Sequence, residues 1–222
     1  MSTTTATHYV APDSVQRYTF RERVMHWLTA VAYTYCLATG LAFYTPHLFW
    51  LAVVLGGGPT SRYWHPILGT GFFAAILWMH VVWRRDMEVT ETDKRWLGRV
   101  EEYVTNQDER LPPQEKYNGG QKLYYWLMYY GTFWLLLSGL FVWFPEYIPF
   151  RLVWVRQLMI VLHEIAALLT IGGFIIHVYM SLVVVPGSMT GMTQGFVSRA
   201  WARMHHRLWY IRMTGGDPAA KE

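Results

Sequence analysis

Across residues 153–185 only Arg156 and Glu164 carry a charge, and the stretches 24–44, 64–83 and 123–144 carry none. A helix that crosses the hydrocarbon of a bilayer needs about 20 such residues. In lipid every backbone N–H and C=O has to be satisfied within the protein, which leaves helices or closed barrels. Apolar runs of this length select the helix. The sequence therefore predicts an all-α integral membrane protein, a four-helix bundle with spans at about 24–44, 64–83, 123–144 and 153–185. The last run exceeds what a bilayer needs and is expected to tilt or project beyond it. A further apolar patch, LFWLAVVLGGG at 48–58, is too short to span and is read as a re-entrant or interfacial piece.

Composition agrees. Charged residues make up 15% of the 222 and hydrophobic ones 53%, against roughly a quarter charged in soluble domains. The net charge of +4 comes from basic residues that flank the apolar runs, which argues for membrane topology and against a nucleic-acid patch. The single cysteine, Cys36, lies inside a span. It excludes an internal disulfide, and an iron–sulfur cluster held by this chain alone.

Lysines and arginines set the orientation. Three precede the first span (Arg17, Arg21, Arg23), eight lie in the loop 84–122 and five follow residue 186, leaving Arg62, Arg151 and Arg156 on the opposite side. The positive-inside rule places both termini and the long loop in the cytoplasm. Within that loop KRWLGRVEEYV, residues 94–104, has Trp96, Val100 and Tyr103 at helical spacing, predicting an amphipathic helix on the inner membrane surface. Residues 1–16 and 213–222 are expected to be flexible tails around a transmembrane domain at 17–212. The first apolar run is long enough to span and is read as a helix, not a cleaved leader.

Histidines inside these spans carry the functional signal. His163 and His177 are fourteen residues apart, about 21 Å along a helix and within about 40° of one face. His26 opens the first span at the inner level of His177, and His65 opens the second at the outer level of His163. Intramembrane imidazoles are costly without partners. Two pairs at two depths suit two haem irons, each with two axial imidazoles, although a single histidine in a span is more often a helix contact. His80, near the inner end of the second span, competes with His26 as the partner of His177. Gly69 and Gly173 lie on the faces of His65 and His177, where they serve either close approach of a macrocycle or tight helix packing. By depth, Arg62 and Arg156 outside and Arg23 and Arg203 inside are candidate propionate partners. His47, His205 and His206 read as loop or surface residues, and His8 lies in the tail.

RERVMHW, HPILG, KYNGGQK, HEIAALLTIGGFIIHVYMS and GSMTGMTQGFVSRAWARMHHRLWY together resemble the gamma subunit, a di-haem cytochrome b, of respiratory membrane-bound formate dehydrogenase. The likeness runs from about residue 17 to 212. It implies two haem b groups, His65 and His163 on the outer iron and His26 and His177 on the inner, with His80 outside the ligand set. It also implies a quinone pocket by the inner haem, with Asn118, Gly120 and His177 as its residues and menaquinone or ubiquinone as substrate. The implied partners are an iron–sulfur beta subunit and a molybdenum- or tungsten-containing catalytic alpha subunit, in a bacterial inner membrane and within a higher oligomer of the complex. Formate oxidation is then left to the alpha subunit, and this chain contributes electron transfer and quinone reduction. On the residues alone, YNGG also reads as a turn before a helix. Glu164 departs from the family pattern, either as an acid that stabilises oxidised haem or pairs with Arg156, or as a solvated residue. The rival readings are the cytochrome b of a nickel–iron hydrogenase or sulfur-compound oxidoreductase, an anchor without a quinone site, and a haem-free transporter.

Overall fold

The structure, a computed structural model, describes residues 13–105 and 107–216; His8 lies outside them. Its elements in chain order are β1 (Ser14–Gln16), α1 (Phe20–Tyr44), α2 (Trp50–Val54), α3 (Gly58–Trp83), α4 (Glu91–Leu97), α5 (Val100–Val104), α6 (Gly119–Trp143), α7 (Val153–Tyr179), α8 (Ser188–Thr193), β2 (Phe196–Ser198), α9 (Arg199–His205) and α10 (Arg207–Thr214). The fold is mostly helical with one two-stranded sheet. Two compact units divide the described residues, one from 13–23, 90–105, 107–119 and 181–216 and the other from 24–89 and 120–180.

Three helical runs among the described residues are long and apolar enough to cross a membrane: Gly58–Trp83, Gly119–Trp143 and Phe150–Val184. The last is α7 extended by a π-helical turn, Met180–Val184. Four spans were expected. Helix α1 has comparable length, 25 residues, but Thr29, Tyr33, Thr34, Tyr35 and Thr39 dilute its apolar character. The patch at 48–58 forms only the short α2 and a turn that needs glycine, with Gly56 and Gly57 at φ +98° and +94°.

Tyr33 of α1, Phe72 and Ile76 of α3 and Met128 of α6 pack as one core, with Phe174 of α7 against it. Helices α6 and α7 approach closely where a Cβ on Gly131 would lie 2.5 Å from Thr170 Cγ2. Gly173 likewise faces Leu127 and Tyr124 at 2.7 and 3.4 Å, so its place is explained by helix packing. Buried hydroxyls bond back to their own helices, as Thr132 does to the Met128 carbonyl at 2.6 Å. Outward, Val31, Val81, Leu168 and Ile176 are exposed, as a lipid-facing surface requires.

The first unit departs further from expectation. Residues 14–16 are not tail: β1 pairs antiparallel with β2, in register Ser14 with Ser198. Helix α10 likewise extends through Thr214, into the segment expected to be a C-terminal tail. The amphipathic helix expected over 94–104 is two short helices broken at Gly98, a poor helix former. Trp96 is buried against Tyr103, ring centres 4.8 Å apart, while Val100 between them stays exposed, so part of this face packs within the protein. Thr90 and Asp93 form a capping box that starts α4.

Arg17 joins the pieces of this unit. Buried at 5% exposure, its Nη2 donates to the Lys116 carbonyl at 2.6 Å and to His206 Nε2 at 3.1 Å. Its guanidinium lies over the rings of Trp201 and Trp209 at 4.9 and 5.3 Å. His206, expected at the surface, is instead buried, and its Nδ1 meets the Glu115 carbonyl at 2.7 Å. An arginine only donates, so Nε2 accepts and Nδ1 carries the proton. Its neighbour His205 is also drawn in, 3.3 Å from Asp108.

Two outcomes follow from this packing. A Cβ on Gly119 would sit 2.7 Å from the Asp93 carbonyl, a backbone atom that cannot swing away. Gly119→Ala is expected to cost about 1–3 kcal/mol, read as a lower thermal midpoint, whereas Gly98→Ala meets nothing closer than 3.5 Å and is expected to be neutral or stabilising. Burial first, and then the Arg17 charge, hold His206 well below its ordinary 6.5. The unfolded chain therefore takes up a proton that the folded unit refuses, and the unit loses stability as the pH falls below 6.5. Hydrogen-exchange protection of residues 199–214, corrected for intrinsic rates, should decline over that window, and His206→Gln should flatten the decline.

Candidate functional site

All four span histidines singled out in the sequence fall within the second unit and meet in two pairs. The rings of His26 (α1) and His177 (α7) have centres 6.2 Å apart with planes at 54°. Those of His65 (α3) and His163 (α7) are 6.5 Å apart at 56°. Two imidazoles that bind one iron from opposite sides, through bonds of about 2 Å, place their ring centres about 6.3 Å apart. Both pairs fit that spacing, so each can supply two axial ligands to a haem. Because α7 contributes one ring to each pair, the two sites are separated by its fourteen intervening steps, about 21 Å.

The two pairs have different surroundings. His65 Nδ1 lies 2.7 Å from the Thr39 hydroxyl, and His163 Nδ1 lies 3.0 Å from that of Ser138. Phe43 meets the His65 ring edge-on at 5.7 Å. By contrast, His26 Nδ1 is buried without a hydrogen-bond partner. His177 lies flat against Tyr124, ring centres 4.5 Å apart and planes within 3°.

His80 is elsewhere. Its Nδ1 meets the Tyr125 hydroxyl, and its ring stacks on Tyr129 at 4.4 Å, so the ring facing His177 is that of His26. Trp126 beside it donates to the Met87 carbonyl, fixing the turn after α3. Gly69 finds only Cys36 Sγ, at 3.9 Å, and Cys36 is half-buried with its thiol near the His65 carbonyl.

Of the residues associated with quinone, Asn118 belongs to the first unit and His177 to the second. Asn118 is buried and hydrogen-bonded to Tyr103, whose hydroxyl burial pushes up to about 12. Gly120 is half-buried in the first turn of α6. Among the propionate candidates, Arg23 is already engaged with the carbonyls of Met192 and Thr193. Arg156 keeps its Nε buried without a partner, and Glu164 is exposed on α7.

Thr39 and Ser138 were missed from the sequence, as were Arg17 and His206. Their one signal is a repeated dipeptide, hydroxyl then glycine, at Thr39-Gly40 and Ser138-Gly139. Serines and threonines are common in spans, and that signal alone did not single them out.

Known proteins resemble this chain over most of its length. It is 32% identical over 198 residues to the cytochrome b556(fdo) subunit of formate dehydrogenase from Escherichia coli strain K12, covering 89% of this chain and 92% of the relative. The nitrate-inducible formate dehydrogenase of the same strain has a cytochrome b556(Fdn) subunit that is 31% identical, with 88% and 90% covered. A formate dehydrogenase cytochrome b556 subunit from Haemophilus influenzae is 29% identical, with 85% and 79% covered. Residues 17–195, the stretch that holds all four paired histidines, match the family described as prokaryotic cytochrome b561, and this chain belongs to that family.

Proposed function

We propose that this chain is the membrane cytochrome b subunit of a quinone-linked formate dehydrogenase complex, holding two haem b groups and passing electrons across the inner membrane. The observation that carries the reading is the pair of facing imidazole pairs, each at the ring spacing of a shared iron. Its relatives, named as formate dehydrogenase subunits and matched along nearly their whole length, support the choice of complex.

In this reading α1 is a fourth span, both termini are cytoplasmic, and His65 and His163 hold the haem nearer the outer face. His26 and His177 hold the inner one. Haem b, when bound, supplies reversible one-electron chemistry. The chain's own residues fix where that chemistry happens: α7 sets the separation of the two sites, and the core of Tyr33, Phe72, Ile76 and Met128 keeps water from the interval between them. An iron–sulfur beta subunit at the outer face delivers electrons from a molybdenum or tungsten alpha subunit, where formate is oxidised. Menaquinone or ubiquinone is reduced at the inner side, with Gly120 and His177 of the second unit as contacting residues. Each electron carried inward against a potential of 100 mV is worth about 2.3 kcal/mol, so protons taken from the cytoplasm by the quinone make formate oxidation contribute to that potential.

Formate should reduce b-type haem in the purified complex, with two haems per chain by pyridine haemochrome count. His163→Ala is expected to lose one of them and leave the other reducible by a quinol analogue. Retention of both would remove His163 from the ligand set, and reduction by hydrogen in place of formate would transfer the chain to a hydrogenase complex.

A further inference from the structure

The hydroxyls beside His65 and His163 have a direction, and it can be read from their other contacts. A hydroxyl has one hydrogen to give. That of Thr39 points to the carbonyl one turn back on α1, Tyr35, at 2.8 Å, with the Cys36 carbonyl at 3.3 Å. Ser138 gives its hydrogen to the Trp134 carbonyl one turn back on α6. With their hydrogens committed, both oxygens face histidine as acceptors. His65 Nδ1 at 2.7 Å and His163 Nδ1 at 3.0 Å must then carry the protons. A neutral imidazole protonated at Nδ1 has its lone pair at Nε2.

Neither hydroxyl sits on the helix of the histidine it holds: α1 holds a ring of α3, and α6 a ring of α7. Both oxygens are fully buried, Thr39 and Ser138 each at 0% exposure, so water does not compete for the bond. The following glycine completes each seat. A Cβ on Gly40 would come within 3.5 Å of His65 Cε1, and one on Gly139 within 3.3 Å of His163 Cε1. The other pair lacks this arrangement at His26, whose Nδ1 has no hydrogen-bond partner.

We propose that Thr39 and Ser138 are positioning residues that lock His65 and His163 as Nδ1–H tautomers, present both Nε2 lone pairs to one iron, and hold the reduction potential of that haem down. An acceptor on Nδ1–H makes the imidazole a stronger donor, and a stronger donor favours the ferric state over the ferrous. The inference rests on these two histidines sharing an iron, and it adds residues that touch neither iron nor quinone.

The test is a spectroscopic redox titration of the whole complex carrying Thr39→Val or Ser138→Ala. Each variant is expected to keep two haems per chain. One midpoint should rise by an amount equivalent to about a tenfold shift in the ferric–ferrous balance, about 59 mV for one electron, while the other stays in place. Thr39→Ser should restore the wild-type midpoint, which a merely space-filling role for Thr39 does not require. Loss of one haem in Thr39→Val with recovery in Thr39→Ser also supports the assignment. Should Val at position 39 block assembly, Thr39→Ala and Ser138→Ala provide the same readout. Unchanged midpoints in variants with both haems would overturn the proposal, even where His65→Ala and His163→Ala each lose one haem and so leave the ligand assignment standing. If those two histidine variants keep both haems, it is the ligand assignment that fails.

Discussion

A buried imidazole has to settle the direction of both its nitrogens, and the most constrained parts of this protein are built around that requirement. In bulk water either tautomer is served at once. Inside a helix bundle the partners are fixed, so whichever neighbour is unable to reverse its role decides the chemistry of the ring. Thr39 and Ser138 are such neighbours because a helix carbonyl has claimed their hydrogens. Arg17 is another because a guanidinium never accepts. His65, His163 and His206 are thus all read as protonated at Nδ1. The first two are left with an Nε2 lone pair to offer a metal, while the third spends its own on Arg17.

Helix α7 is the rail on which both histidine pairs rest. It contributes to both facing pairs, and it approaches α6 closely enough that Gly131 and Gly173 have no room for side chains. Its spacing is a backbone property: fourteen residues at the helical rise fix the distance between the two sites with little help from side-chain packing. The neighbouring helices then need only bring one ring each to the correct level.

That regularity also explains what could be read in advance. Depth along a helix is linear in residue number, so His65 with His163 followed from counting, while for His177 counting left His26 and His80 in competition. Three of the four expected spans followed from hydropathy, while tyrosines and threonines interrupt the apolar character of α1. What was not legible depended on contacts between distant segments. Three-residue strands such as β1 and β2 have no periodicity to detect. Arg17 reads as a topological charge until its partners at Lys116, Trp201 and His206 are known. Thr39 and Ser138 resemble any hydroxyl in a span until the position of the imidazole across from them is seen.

The pairing of residues 14–16 with 196–198 carries a consequence for biogenesis. A chain made from its N-terminus releases β1 from the ribosome before the first span is complete, yet the strand that receives it emerges only after the last span. Until β2 is made, the backbone of β1 has no partner strand and remains solvated. Residues 14–16 are therefore among the last to find their place, and truncations that remove β2 leave them without their partner strand.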